Sequence, residues 1–63
     1  MLPVELGDDE LRDAAVACRV AARHAQSDSE RQINRRLAAA LASDAERYTR
    51  LAERFEAARL RPP

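Results

Sequence analysis

Apolar residues recur every three or four positions along two long segments of the chain, and this spacing predicts two amphipathic α-helices. The stripe of the first segment consists mainly of small side chains: Leu11, Ala14, Ala15, Cys18, Ala21, Ala22 and Ala25. The stripe of the second segment carries larger side chains: Leu37, Leu41, Tyr48, Leu51, Ala52, Phe55 and Ala58. No glycine or proline interrupts residues 8–61, where alanine, arginine, leucine and glutamate favour helix. The pattern predicts an all-α fold.

The residues around Gly7 have the pattern of a helix N-terminus. With Gly7 as the N-cap, the Glu10 carboxylate is placed to accept a hydrogen bond from the backbone N–H of Gly7. At the other end, the two final prolines stop the second helix. Residues 1–7 are expected to form an extended arm against the helices, with three apolar side chains on one side: Leu2, Val4 and Leu6.

Two positions are open for the turn between the helices. Residues 27–30 form a possible capping box, which would give a short first helix and a long second one. A turn at Ile33 and Asn34 is favoured, because asparagine caps helices well and because this turn pairs small residues with large ones. It places Leu11 opposite Phe55, Cys18 opposite Tyr48 or Leu51, Ala25 opposite Leu41, and Ser29 opposite Leu37. The sequence thus predicts one domain, an antiparallel hairpin with helices near 8–31 and 35–60 and a turn at 32–34.

The predicted core of this hairpin contains the larger side chains of the two stripes: Leu11, Cys18, Leu37, Leu41, Tyr48, Leu51 and Phe55. Further apolar residues lie away from these stripes and form a candidate oligomer or partner interface: Val16, Val20, Ala38, Ala42 and Ala45. A lone hairpin would leave that second set in water. Two hairpins joined as a four-helix bundle would cover part of it, so a homodimer is expected.

The length of the chain supports the same expectation. A single core of 63 residues rarely contributes more than roughly 3–5 kcal/mol to stability, so small proteins usually need disulfides, metals or partners. Cys18 is the only cysteine, so no disulfide can form within the chain, and its lone thiol suits a reducing, cytoplasmic location. Association with another chain remains as the source of stability.

Charge is balanced overall but unevenly distributed. The chain has eleven arginines, no lysine and eleven carboxylates. Residues 1–13 carry five carboxylates and one arginine, a net charge of −4, whereas residues 14–36 carry five arginines and two carboxylates, a net charge of +3. These opposite charges suit an antiparallel dimer, in which the acidic start of one chain approaches the basic turn of the other.

The residues that carry enzyme chemistry are sparse in this chain. The only histidine, His24, lies six residues after Cys18 and therefore points away from it on a helix. There is no phosphate-binding glycine loop, no metal-ligand spacing and no long apolar run that would cross a membrane. We expect a protein that is not an enzyme, with no catalytic residue, metal or cofactor and no membrane association. The favoured function is a helical interaction or assembly module.

Two other functions are compatible with the sequence. Arg31, Arg35 and Arg36 cluster at the turn and are candidate contacts for RNA or DNA. In length and inferred architecture the chain resembles the Rop class, plasmid-encoded helical hairpins that dimerise into a four-helix bundle and bind paired RNA loops. That resemblance concerns the layout alone, so no functional residue is carried over from it. The third possibility is an accessory subunit, or a chaperone or antitoxin-like partner, of a larger protein.

Overall fold

The computed structural model describes residues 6–60, which form two α-helices packed against each other. Helix α1 spans Asp8–Arg31 and helix α2 spans Arg35–Leu60. The expected all-α hairpin is therefore confirmed, whereas most of the predicted N-terminal arm and the final prolines lie outside the described residues. The Cα atoms extend over 46 × 24 × 13 Å, so the hairpin is a slab about one helix thick.

Helix α1 begins with half of a capping box. The backbone N–H of Gly7 donates to Glu10 Oε1 at 3.3 Å, and the N–H of Leu11 donates to the Gly7 carbonyl at 2.9 Å. Glycine has no side chain to accept the reciprocal hydrogen bond, so this cap is weaker than one made by serine or aspartate. Three carboxylates in the first turn, including Asp8 and Asp9, favour the positive end of the helix dipole.

The turn lies at residues 32–34, and residues 27–30 are helical. Asn34 caps α2, since its Oδ1 accepts hydrogen bonds from the backbone N–H groups of Arg36 (3.0 Å) and Leu37 (3.1 Å). The N–H of Gln32 closes α1 by donating to the Ser29 carbonyl at 3.2 Å. No residue in the described range 6–60 has a positive φ, so the chain reverses without a left-handed position.

Two long-range contacts define the register of the hairpin. At the open end, Arg59 Nε donates to Asp8 Oδ1 at 3.0 Å. At the turn, Ser29 Oγ donates to the Ala38 carbonyl at 2.7 Å. Both pairs obey the same antiparallel register, which means that the helices keep their alignment over the full length of the slab.

The buried residues at the contact between the helices are all alanines within the described range. They are Ala15, Ala22 and Ala25 on α1, and Ala45 and Ala52 on α2. Ala52 has no exposed surface, and no larger side chain of residues 6–60 is fully buried. Methyl groups at the contact allow two helices to approach at the short end of the usual interaxial range of roughly 8–10 Å.

This alanine contact corrects three of the sequence-based assignments. Leu37 and Tyr48 were expected in the core but are 53% and 40% exposed. Ala45 was expected on an exposed flank but is only 6% exposed, inside the hairpin. The reason is a rotation of α2 that turns its alanines toward α1 and moves its large side chains to one side. The remaining predicted core residues are half-buried: Leu11, Cys18, Leu41, Leu51 and Phe55.

We expect the substitution Ala52→Leu to destabilise the hairpin by about 1–3 kcal/mol, because the larger side chain has no room between the helices. Chemical denaturation followed by circular dichroism measures this change. Ala39→Leu is the matched control on the exposed side of α2, and it should change the free energy of unfolding by less than about 0.5 kcal/mol. Equal effects of the two substitutions would contradict an alanine contact at Ala52.

Candidate interface on an apolar face

The two sides of the slab differ in polarity. The residue three positions after a buried alanine lies on one side of the slab, and the residue four positions after it lies on the other. On α2, Tyr48 and Phe55 follow Ala45 and Ala52 by three residues, which is a rotation of roughly 60° to one side. Thr49 and Glu56 follow the same alanines by four residues, which is roughly 40° to the other side. Tyr48 and Phe55 therefore lie on one side of the slab, and Thr49 and Glu56 lie on the other.

We call the side of Tyr48 and Phe55 the apolar face. Helix α2 supplies its large side chains and α1 its small ones. Its members are Leu11, Ala14, Cys18, Ala21 and Ala25 on α1, and Leu37, Leu41, Tyr48, Leu51 and Phe55 on α2. Ala25 is buried, and the other members are half-buried or exposed. Proteins usually bury leucine and phenylalanine, so the partly exposed row makes this face the candidate interface.

The opposite side of the slab is polar. Val16 lines a shallow groove there together with Arg19, Arg23 and Thr49, and it is 57% exposed. The neighbouring groove includes the polar side chains of Gln26, Glu46 and Arg50 beside the alanines Ala22 and Ala45. Val16 thus lies beside two arginines in the first groove. The other members of the interface predicted from the sequence, Val20, Ala38 and Ala42, are half-buried.

One polar residue lies within the apolar row of α2. Leu37, Leu41, Asp44, Tyr48, Leu51 and Phe55 alternate at spacings of four and three residues, the heptad spacing of packed helices. Asp44 is half-buried, and its Oδ1 lies 3.4 Å from Arg47 Nη2. The sequence interpretation missed Asp44 because it followed apolar residues alone; the regular heptad spacing is the signal that identifies it.

A bidentate ion pair joins the helices on the polar side. Arg19 Nε donates to Glu56 Oε2 at 2.9 Å, and Arg19 Nη2 donates to Glu56 Oε1 at 2.6 Å. The hydrogen bond from Arg19 lowers the pKa of Glu56, and the same hydrogen bond raises the pKa of Arg19. Both side chains are about half exposed, so the pair orients the helices more than it stabilises them.

The arginines at the turn do not form one cluster of free charges. Arg31 Nη2 donates to Asp28 Oδ1 at 2.9 Å, whereas Arg35 and Arg36 are exposed and form no ion pair within residues 6–60. Both arginines lie in the first turn of α2, at the positive end of its dipole, and this turn contains no acidic residue.

The described residues include one cysteine and one histidine, the side chains that most often take part in thiol and metal chemistry. Cys18 is a free, half-buried thiol in the middle of α1, and His24 is exposed. No group of three histidine, cysteine or carboxylate side chains in residues 6–60 could hold a metal ion. Neither described helix combines the length and the apolar character that crossing a lipid bilayer requires.

The ion pair predicts a specific pH dependence. Because the pKa of Glu56 in the folded chain is below the ordinary value of 4.5, its stabilising effect is complete above pH 4.5 and disappears as the pH falls through the lower folded value. We expect Glu56→Gln to lower the melting temperature slightly at pH 7, and this deficit to shrink below pH 4.5. Thermal melts at several pH values measure it, with Glu46→Gln as the unpaired control. A deficit that is constant with pH would contradict the contribution of this pair.

Comparison of the chain with known protein families, with curated proteins and with solved structures finds no match. The residues and the geometry of the hairpin itself are therefore the basis for its proposed function.

Proposed function

We propose that this chain is a non-enzymatic assembly module that acts as a homodimer, and that the apolar face is its interface. The observation that carries the proposal is the distribution of burial. The buried residues of the described hairpin are alanines, whereas its leucines, its tyrosine and its phenylalanine are all partly or largely exposed. The hydrophobic effect scales with apolar area removed from water, so a hairpin in this state leaves most of its available stabilisation unused.

A second copy of the hairpin is well shaped to cover the apolar face. The face is flat and as long as the slab, since both helices run its full length. Stacking two slabs through this face makes a four-helix bundle in which leucine, tyrosine and phenylalanine become the core. The polar faces, including the ion pair of Arg19 and Glu56, then point outward into water.

Leu37→Glu tests this interface without disturbing the hairpin. Leu37 is 53% exposed and lies at the third position after the Asn34 cap, where glutamate supports a helix start. We expect the wild-type chain to have twice its 7.0 kDa mass in light scattering after size exclusion, and Leu37→Glu to weaken the dimer by roughly tenfold or more while helicity is retained.

Val16→Glu is the matched control, because Val16 has nearly the same exposure, 57%, on the polar side. It should leave the dimer intact. Dissociation by Val16→Glu but not by Leu37→Glu would place the interface on the valine surface and contradict the proposal. A wild-type chain that melts cooperatively as a monomer, or that aggregates until a different protein is added, would also contradict it.

RNA or DNA binding is a second candidate, favoured by the exposure of Arg35 and Arg36 without acidic partners in the described range. If this candidate is correct, the chain binds nucleic acid with an affinity that falls as salt rises, because phosphate contacts release counterions. Fluorescence anisotropy with labelled RNA and DNA at low ionic strength measures this. Replacement of Arg35 and Arg36 by alanine should then reduce affinity and the salt slope together. Absence of binding at low salt would exclude this function.

A further inference from the structure

We infer that the second copy lies antiparallel on the apolar face, with α2 against the partner's α2 and with Asp44 accepting a hydrogen bond from the partner's Tyr48. This inference rests on the proposed function, since it presupposes a dimer through the apolar face. It goes further because it assigns the orientation of the two chains and a polar contact that determines their register.

The row on α2 is symmetric about its middle. The spacing of its six residues, from Leu37 to Phe55, reads the same in both directions. A two-fold axis across its middle therefore places each position opposite another member of the same row. Leu37 meets the partner's Phe55, Leu41 meets the partner's Leu51, and Asp44 meets the partner's Tyr48.

The chemistry of Asp44 favours the same orientation. A carboxylate that enters an interface loses water and needs donors to replace it. Asp44 has Arg47 at 3.4 Å on one side, while Tyr48, 40% exposed, forms no hydrogen bond through its hydroxyl within the described residues. The antiparallel arrangement brings these two groups together twice, once on each side of the axis. In the parallel arrangement α2 lies against the partner's α1, so Asp44 would face its alanine-lined surface instead.

The charges at the two ends of the slab also favour an antiparallel pair. Residues 8–13 carry four carboxylates and one arginine, Arg12. Arg59 of α2 pairs with Asp8, so this end of the slab has an excess of two negative charges. Residues 28–36 carry three arginines and two carboxylates, an excess of one positive charge. An antiparallel pair places the acidic end of each slab over the basic turn of the other. A parallel pair would place like charges together, within the roughly 10 Å over which they repel.

A polar contact of this kind has a clear physical role. Leucine rows can slide past each other by a heptad at little cost, whereas a buried polar residue in a helix interface permits only the alignment that satisfies it. The contact of Asp44 with the partner's Tyr48 thus selects one register and one orientation from the several that the apolar residues alone would allow.

Distance measurement between turns tests the orientation. Ile33 is 95% exposed at the turn, so Ile33→Cys in a Cys18→Ala background carries a spin label without disturbing the fold. Because α1 rises about 36 Å over its length, pulsed electron resonance should give a separation of roughly 40 Å in an antiparallel dimer. A separation below roughly 20 Å would show that the turns are adjacent and would overturn the inference, while the proposed dimer would stand.

Mixing two variants tests the contact between chains. Neither Asp44→Ala nor Tyr48→Phe can form the contact in its own homodimer, but a heterodimer of the two restores one Asp44–Tyr48 pair across the interface. A hydrogen bond to a charged acceptor is worth roughly tenfold in an equilibrium constant. Native mass spectrometry of the mixture should therefore find heterodimer well above the statistical half, at roughly nine-tenths of the dimers.

The outcomes separate the two proposals. A statistical mixture of dimers would mean that the pair does not form across the interface, which would overturn the contact but not the dimer. A pair formed within one chain would give the same statistical mixture, because neither variant chain contains both groups. If all variants and the wild type remain monomeric at every concentration, the proposed function fails as well.

Discussion

The close contact of two alanine rows controls the rest of this structure. Because Ala15 and Ala22 meet Ala45 and Ala52 through methyl groups alone, the helices can approach closely only by turning these rows toward each other. The larger residues of α2 are then displaced to one side by the geometry of the helix itself. A single packing constraint thus produces both a thin slab and the row of leucine and aromatic side chains along one of its sides.

Polar interactions support this arrangement at points that the alanine contact leaves free. Asn34 starts α2, the Ser29 hydroxyl joins the helices beside the turn, and Arg59 reaches Asp8 at the open end. These bonds align the helices lengthwise, while the Arg19–Glu56 pair closes the polar side. Because each is exposed or half-buried, their main effect is on register rather than on stability. The leucines and aromatic rings of the apolar face remain partly exposed, so burying them would add stability.

In the proposed function, the apolar face acts by binding another helix pair, which requires no catalytic residue. The apolar face presents flexible leucines, two aromatic rings and one carboxylate in a regular row, which suits recognition of another helix pair. In the proposed antiparallel dimer, apolar residues would supply affinity and Asp44 would supply alignment. The polar faces would remain available as the outer surface of a rigid four-helix rod.

Particular residues show how far sequence patterns reach. The pairing of small with large residues favoured a turn at residues 32–34, and Asn34 caps α2 there. The same reasoning assigned Leu37 and Tyr48 to the core and Ala45 to the surface, and these assignments were wrong. Apolar periodicity identifies a broad stripe on each helix, but it does not indicate which edge of that stripe makes the contact.

Propensity and spacing along the chain therefore determined the two helices, their antiparallel pairing and the presence of more apolar surface than one hairpin covers. The rotation of each helix about its axis was decided only by tertiary packing, because it depends on how closely two backbones approach. Tyr48 follows the buried Ala45 by three residues, an offset of roughly 60° around α2 that leaves it 40% exposed, and this orientation makes the leucine side, rather than Val16, the candidate interface.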